Sequence, residues 1–182
     1  MSLPVSAFKA YDIRGRVPDE FDEEIAEAIG RAYASYLEPQ RVVVGHDIRL
    51  SSPGITGALV KGLKASGVAV SHIGMCGTEE IYFATDHYGF DGGIVVTASH
   101  NPMDYNGMKL VRRQSKPISG DSGLHDIRDL VATNRFADAS ATGRLDYLDH
   151  RDAYIEHLLS YINLERLAPL KIVANPGNGG AS

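Results

Sequence analysis

The run Thr97-Ala98-Ser99-His100-Asn101-Pro102 is the stretch of this chain richest in chemistry. It follows Ile94-Val95-Val96, a short apolar segment that Gly92-Gly93 introduce. A buried strand there carries Ser99 to its C-terminal tip, and in an open α/β sheet that edge is where ligands bind. A serine so placed, beside His100 and ten residues before Lys109, has the makings of a phosphoryl-carrying nucleophile. Once phosphorylated it would carry close to two negative charges at neutral pH. Passing the group to a hydroxyl then needs cations against the developing charge, usually a divalent metal with Arg or Lys. It also needs a base for the hydroxyl proton and in-line placement of the acceptor. Arg14, Arg49, His100 and Lys109 are the candidates, all at or just beyond expected strand ends. Asn101-Pro102 stiffens the loop, because a residue before proline is pushed away from helical geometry.

Plainer readings compete. A serine at a strand end is usually a turn residue. A Ser–His–Asp hydrolase has little support, since no GxSxG elbow occurs and adjacent Ser and His rarely reach the required geometry. His46-Asp47 offers a general base or, more simply, a shaped turn. Asp12 and Asp47 read as residues that position arginines or cap turns rather than as acids. The remaining histidines lack metal-ligand spacing.

The elements that must hold these residues alternate strand and helix. Residues 8–11 read as a strand before the loop 12–16. Ile25, Ala28, Ile29, Ala32 and Tyr36 recur at helical spacing over 21–37, with Glu23 and Glu24 in the first turn, where the helix dipole favours them. Residues 41–44 form a buried-type strand. Ser52 and Pro53 suit an N-cap and first helical position, and Gly67 a C-cap. A strand over 68–73, a helix capped by Thr78 and running to Tyr88, and strands ending at Ser99 and covering 108–111 follow. Asn106-Gly107 signals a tight turn, so 108–111 is expected to run antiparallel. Asp121 or Ser122 opens a helix containing Leu124, Ile127, Leu130 and Val131. The pattern predicts an α/β fold: a three-layer helix-sheet-helix domain with a mixed, mostly parallel sheet.

Composition turns polar over 134–142, which places a domain boundary near Gly143 and divides the chain into 1–143 and 144–182. After it come a helix over 149–161, a strand over 171–174 and a glycine-rich turn from Asn175. One helix and one strand bury too little to stand alone, so 144–182 is expected to begin a second, truncated α/β domain of a longer protein.

The chain has 182 residues, 43% hydrophobic and 23% charged, with a net charge of −5. No dense basic run argues for nucleic acid. No apolar run spans a bilayer, and no leader pattern opens the chain. Cys76 is the sole cysteine, which excludes an internal disulfide. It reads as a small packing residue, and a free thiol fits a cytoplasmic setting.

These segments resemble the α-D-phosphohexomutases. Thr97-Ala98-Ser99-His100-Asn101-Pro102 is similar to that family's active-site serine motif. Lys9-Ala10-Tyr11-Asp12-Ile13-Arg14-Gly15 resembles its N-terminal loop. Gly45-His46-Asp47-Ile48-Arg49 resembles the loop before its first long crossover helix, and Asp104-Tyr105-Asn106-Gly107-Met108-Lys109 the segment with its active-site lysine. The order agrees, the likeness covers nearly the whole chain, and it is strongest to the bacterial phosphomannomutase branch of GDP-mannose synthesis.

The resemblance implies reversible transfer of phosphate between the 6- and 1-positions of mannose. Phosphorylated Ser99 would donate, and a hexose 1,6-bisphosphate would be the intermediate. By the same resemblance Lys109 and His100 support the serine's proton and charge chemistry, Tyr11 and Arg14 line the substrate side, and Mg2+ binds an oxygen of the Ser99 phosphate. Mannose 6-phosphate, mannose 1-phosphate and the bisphosphate are the implied partners. A dual phosphoglucomutase/phosphomannomutase, a phosphoglucosamine mutase and a non-catalytic sugar-phosphate-binding module are the alternatives. The family builds one cleft from four domains, so this chain, matching the first and entering the second, is expected to have little activity alone.

Overall fold

The structure, a computed structural model, describes residues 3–136 and 139–175. Contacts divide the chain into a unit ending at Asp149 and a unit beginning at His150. The first unit is built on one seven-stranded sheet.

Its elements are β1 (Ile13–Arg16), α1 (Glu23–Leu37), β2 (Arg41–His46), α2 (Ser52–Ala65), β3 (Ala69–Met75), α3 (Thr78–His87), β4 (Gly92–Val96), β5 (Tyr105–Arg112), β6 (Lys116–Pro117), α4 (Leu124–Thr133) and β7 (Leu145–Tyr147). The strand order is β1-β5-β4-β2-β3-β7, with β6 paired to β5. β2 runs parallel to β3 and β4, and β3 to β7, while β5 is antiparallel to β1, β4 and β6.

Strand alternation sorts the core into two layers. Val42, Val44, Ile94 and Val96 join the larger cluster under α1, α2 and α4, with Ile25, Ile29, Leu59, Leu63, Leu124 and Ile127. Val43 and Val95 point the other way, onto Ile81, Ala84 and Phe90 around α3. Sheet strands buried on both faces read as unbroken apolar runs, which is why β2 and β4 were recognisable. The expected three-layer, mixed and mostly parallel α/β domain is what forms.

Local details differ from expectation for identifiable reasons. Residues 8–11 are not a strand. Phe8 makes one bridge to Ile13, Lys9 N donates to Asp12 O at 2.9 Å and Arg14 N to Ala7 O at 2.7 Å. The chain doubles back on itself there, and only from Ile13 does it meet β5. Asn106-Gly107 lies inside β5 rather than in a turn, and residues 97–104 make the reversal from β4. α2 takes Ser51, not Ser52, as its N-cap, with no side-chain cap bond. Its serine hydroxyls are engaged instead by the Asn106 amide, at 2.8 and 2.9 Å. Gly67 follows the end of α2 at φ +82°, the left-handed position glycine suits. Gly77 rather than Thr78 caps α3, its N–H held by Glu80 at 2.7 Å. A 3-10 turn over Gly120–Ser122 precedes α4.

Residues 145–147 pair with β3, so the first sheet continues past Gly143 and the contact boundary falls six residues later, at Asp149. In the unit that follows, α5 covers Arg151–Leu159, with no buried residue. Residues 171–174 form no ladder, because a strand exists only through a neighbour that accepts its backbone bonds. The glycine-rich turn beyond Asn175 lies outside the described residues.

Cys76 packs with Val43, Ile73 and Phe90. Burial, reinforced by the nearby Glu80 carboxylate, pushes its thiol up to about 12. Since the thiolate is the nucleophile, the folded chain is expected to resist iodoacetamide at pH 8 and to react readily once unfolded in urea. Mass spectrometry of the two samples checks this.

Candidate active site

The path of the chain creates the site. After β2 it moves to β3 on one side, and after β3 it returns to lay β4 on the other side of β2. Such a reversal opens a crevice between the carboxyl ends of the two central strands. His46 lies opposite Val96 in the ladder, and Asp47 N donates to Val96 O at 2.9 Å. The loop after β2 and the serine loop therefore leave the sheet side by side.

Thr97 and Ala98 are buried, whereas Ser99 and His100 are exposed. Ser99 has φ +53°, a left-handed conformation that costs a non-glycine residue about 1–3 kcal/mol. The Thr97 hydroxyl accepts Ser99 N–H at 2.9 Å. The Ser99 Oγ stands 2.8 Å from His100 Nδ1. The hydroxyl is thus held out at the rim within hydrogen-bond reach of an imidazole nitrogen.

Two cations share one carboxylate next to the serine loop. Arg14 directs Nε and Nη2 to Asp12 Oδ2, at 3.0 and 2.8 Å, and Lys109 Nζ reaches the same oxygen at 3.0 Å. Arg14 Nη1 bonds Asn101 Oδ1 at 2.9 Å and the carbonyl of Ala98. Register explains the convergence: Arg14 opposes Gly107 on β5, and Lys109, two residues on, projects from the same face. Two positive charges against one negative leave a net attraction for an anion at the loop. Asp12 does position an arginine, and a lysine with it.

Arg49, grouped with these cations by sequence, is placed differently. Its four Nη–H groups meet four backbone carbonyls. Nη1 donates to Pro102 O and Tyr105 O at 2.6 and 3.0 Å, and Nη2 to Ser99 O and Asn101 O at 2.9 and 2.6 Å. Its Nε faces Asp47 Oδ2 at 3.3 Å. His46 directs Nδ1 to Asp47 O at 2.7 Å, a turn contact. Tyr11 sits in the loop before β1 with its side chain 79% exposed.

Sequence reasoning missed Asn106. Fully buried, it holds the hydroxyls of Ser51 and Ser52, and Ser52 Oγ donates in turn to Asp47 Oδ1 at 2.6 Å. The signal that could have found it is an amide in alternation with the core residues Met108 and Leu110, since buried polar groups must be partnered. A cavity of about 800 Å³ lined by Gln40, Asp91, Arg112, Arg113 and Lys116 contains none of these groups, so chemistry rather than concavity locates the site. Among the described residues no three His, Cys, Asp or Glu side chains gather to hold a metal ion.

The first unit is therefore an α/β/α layer domain that presents an exposed serine at its switch point, with two paired cations bonded beside the serine loop. Residues 5–138 match the family described as phosphoglucomutase/phosphomannomutase, alpha/beta/alpha domain I, and the chain belongs to that family. It is 58% identical over its whole length to a protein named phosphohexose mutases from Xanthomonas campestris pv. campestris (strain B100), covering 40% of that protein. It is 56% identical, over 97% of its length, to a phosphomannomutase of Escherichia coli (strain K12), covering 39% of it. The crystal structure of a phosphoglucomutase/phosphomannomutase family protein from Burkholderia thailandensis superposes with a TM-score of 0.81 at 39% identity, over 90% of this chain and 37% of that one. The chain spans about 40% of the length of the curated relatives it matches.

Proposed function

We propose that this chain is the phosphoserine-bearing part of a cytoplasmic phosphomannomutase. Ser99 relays phosphate between the 6- and 1-positions of mannose through a hexose 1,6-bisphosphate, with mannose 6-phosphate and mannose 1-phosphate as substrate and product, in the supply of GDP-mannose. The observation that carries the reading is the exposed Ser99 Oγ at 2.8 Å from His100 Nδ1, over the Arg14–Asp12–Lys109 group.

In the donor direction a sugar hydroxyl gives its proton to solvent or to a base outside this chain, and its oxygen bonds to phosphorus while the Ser99 Oγ–P bond breaks. His100 returns a proton to the leaving Oγ, or takes one from it in the reverse step. Lys109 and Arg14 supply positive charge that a phosphoryl on Ser99 draws away from Asp12. Tyr11 and Arg14 face the sugar side. Mg2+ would supply Lewis-acid charge at a phosphate oxygen of Ser99. The described residues make no metal cage of their own, so among them the Ser99 phosphate is the one ligand this chain would offer the ion.

Because the chain covers about 40% of its relatives, most of the groups that hold and turn the sugar lie elsewhere in such proteins. The expected result is little conversion of mannose 6-phosphate by the 182-residue chain, at least about 10³-fold below a full-length relative, since proximity and charge stabilisation are each worth several kcal/mol. A coupled assay measures it. Turnover like that of the full-length relative would overturn this division of labour. The Ser99–His100 contact by itself would also suit a serine hydrolase. Among the described residues no carboxylate is bonded to the His100 ring, and a fluorophosphonate probe is expected to leave Ser99 unlabelled.

A further inference from the structure

We infer that Arg49 is a positioning residue that locks Ser99 into its presenting conformation through the loop's own carbonyls, and that it does not bind phosphate. The inference rests on the reading of Ser99 as the phosphoryl carrier.

A guanidinium has five N–H donors in a rigid plane and no acceptor. In Arg49 four of them meet the carbonyls of Ser99, Asn101, Pro102 and Tyr105, and the fifth faces Asp47. No donor remains for an incoming anion. Arg14 differs, because its bonds leave one Nη2–H unspent among the described residues. The two arginines that sequence alone treats as equivalent therefore divide the work.

Four carbonyls drawn to one cation impose a curled path on residues 99–105. That path has Ser99 at φ +53°, which the chain would leave if released, because left-handed geometry persists only where surroundings over-determine it. The anchor is itself anchored. Asp47 Oδ1 accepts from Arg49 N–H at 3.0 Å and from Ser52 Oγ at 2.6 Å, and Ser52 is held by buried Asn106. The line runs from β5 through the start of α2 to the serine loop. Lysine cannot substitute, since its compact ammonium has three donors and no planar fork.

The test compares the 182-residue chain with its Arg49→Lys and Arg49→Ala variants by three measurements. The first is amide hydrogen exchange over 97–105. The second is the 15N signature of the His100 Nδ1 hydrogen bond, with Ser99→Ala as reference. The third is the rate of Ser99 phosphorylation by glucose 1,6-bisphosphate at several concentrations. The expected result for Arg49→Lys is exchange at least tenfold faster at 97–105 and unchanged in the β2 and β4 cores. The His100 signal should move toward that of Ser99→Ala. The phosphorylation rate constant should fall at least tenfold with half-saturation unchanged. Unchanged exchange and His100 signal overturn the inference. So does a raised half-saturation that lysine restores, which is the behaviour of a phosphate ligand. If the parent chain takes up no phosphate at Ser99, the proposed function fails, while exchange and the His100 signal still decide the role of Arg49. Should both Arg49 variants fail to fold, Ser52→Ala, which loosens Asp47, is expected to shift exchange the same way by a smaller factor, and no shift there overturns the inference.

Discussion

The Ser99→Ala chain is expected to take up no phosphoryl group from a hexose 1,6-bisphosphate, whereas the parent chain is expected to gain one, at residue 99. Intact-mass and peptide analysis distinguish the two. The expected loss is on the order of 10⁴-fold or more, the scale seen when a nucleophile is removed from a reacting group of residues. No neighbouring hydroxyl is expected to take over, because among the described residues Ser99 is the serine bonded to His100 at the switch point. Phosphate appearing instead on Ser51 or Ser52 would defeat the assignment. A companion variant separates chemistry from folding. Ser99→Gly also loses phosphate uptake, yet should gain up to about 1 kcal/mol of stability, because glycine adopts φ +53° without the steric cost serine bears. A site that is strained for its task is expected to become more stable when the task is removed.

The second large effect is structural and begins at Gly107. A Cβ there would stand 1.9 Å from Ile13 O and 2.9 Å from Ile13 C. Both are backbone atoms of β1, which pairs directly with β5, so no side-chain rotation relieves the clash. Gly107→Ala is expected to cost about 3 kcal/mol or more, at or above the upper end for overpacking. It should also pry β1 from β5, withdrawing Arg14 from Asn101 and Asp12 from Lys109. Urea denaturation reads the first effect, and hydrogen exchange at Ala98 and Asn101 the second. An alanine variant with parental stability would show that the strands can separate without loss. Gly107 is thus not the turn glycine that Asn-Gly suggests. Its missing side chain lets the strand carrying Arg14 lie close enough to the strand carrying Lys109 for both to reach Asp12.

That contrast shows where sequence reading stops. β2 and β4 were legible because strands covered on both faces are apolar throughout, and α1 because its apolar residues repeat every three to four positions. The site serine was legible because a polar motif directly follows such a strand. Asn106-Gly107 was misread because a local turn signal and a buried strand with a close partner look alike until the partner is known. Residues 8–11 misled for a similar reason: their pattern suits a strand, but the chain folds back on itself there, with Phe8 bridged to Ile13, and only Ile13–Arg16 pair with β5. His100 and Lys109 stand out by their positions around Ser99, and Tyr11 by the resemblance alone; the fold brings Lys109 to Asp12 and His100 to Ser99, while Tyr11 extends into solvent.

From its sequence alone this protein was determined to be an α/β layer domain with Ser99 at the tip of a central strand, because burial periodicity and strand-end position are local properties of the chain. Only the tertiary structure decided which charged groups serve that serine directly and which serve its loop. Arg14 and Arg49 are alike in type, and by sequence both fall at or just beyond an expected strand end. They part company because β1 lies beside β5 and the loop after β2 lies beside the loop after β4. Strand order is settled by packing among residues far apart in the chain, and no local pattern encodes it.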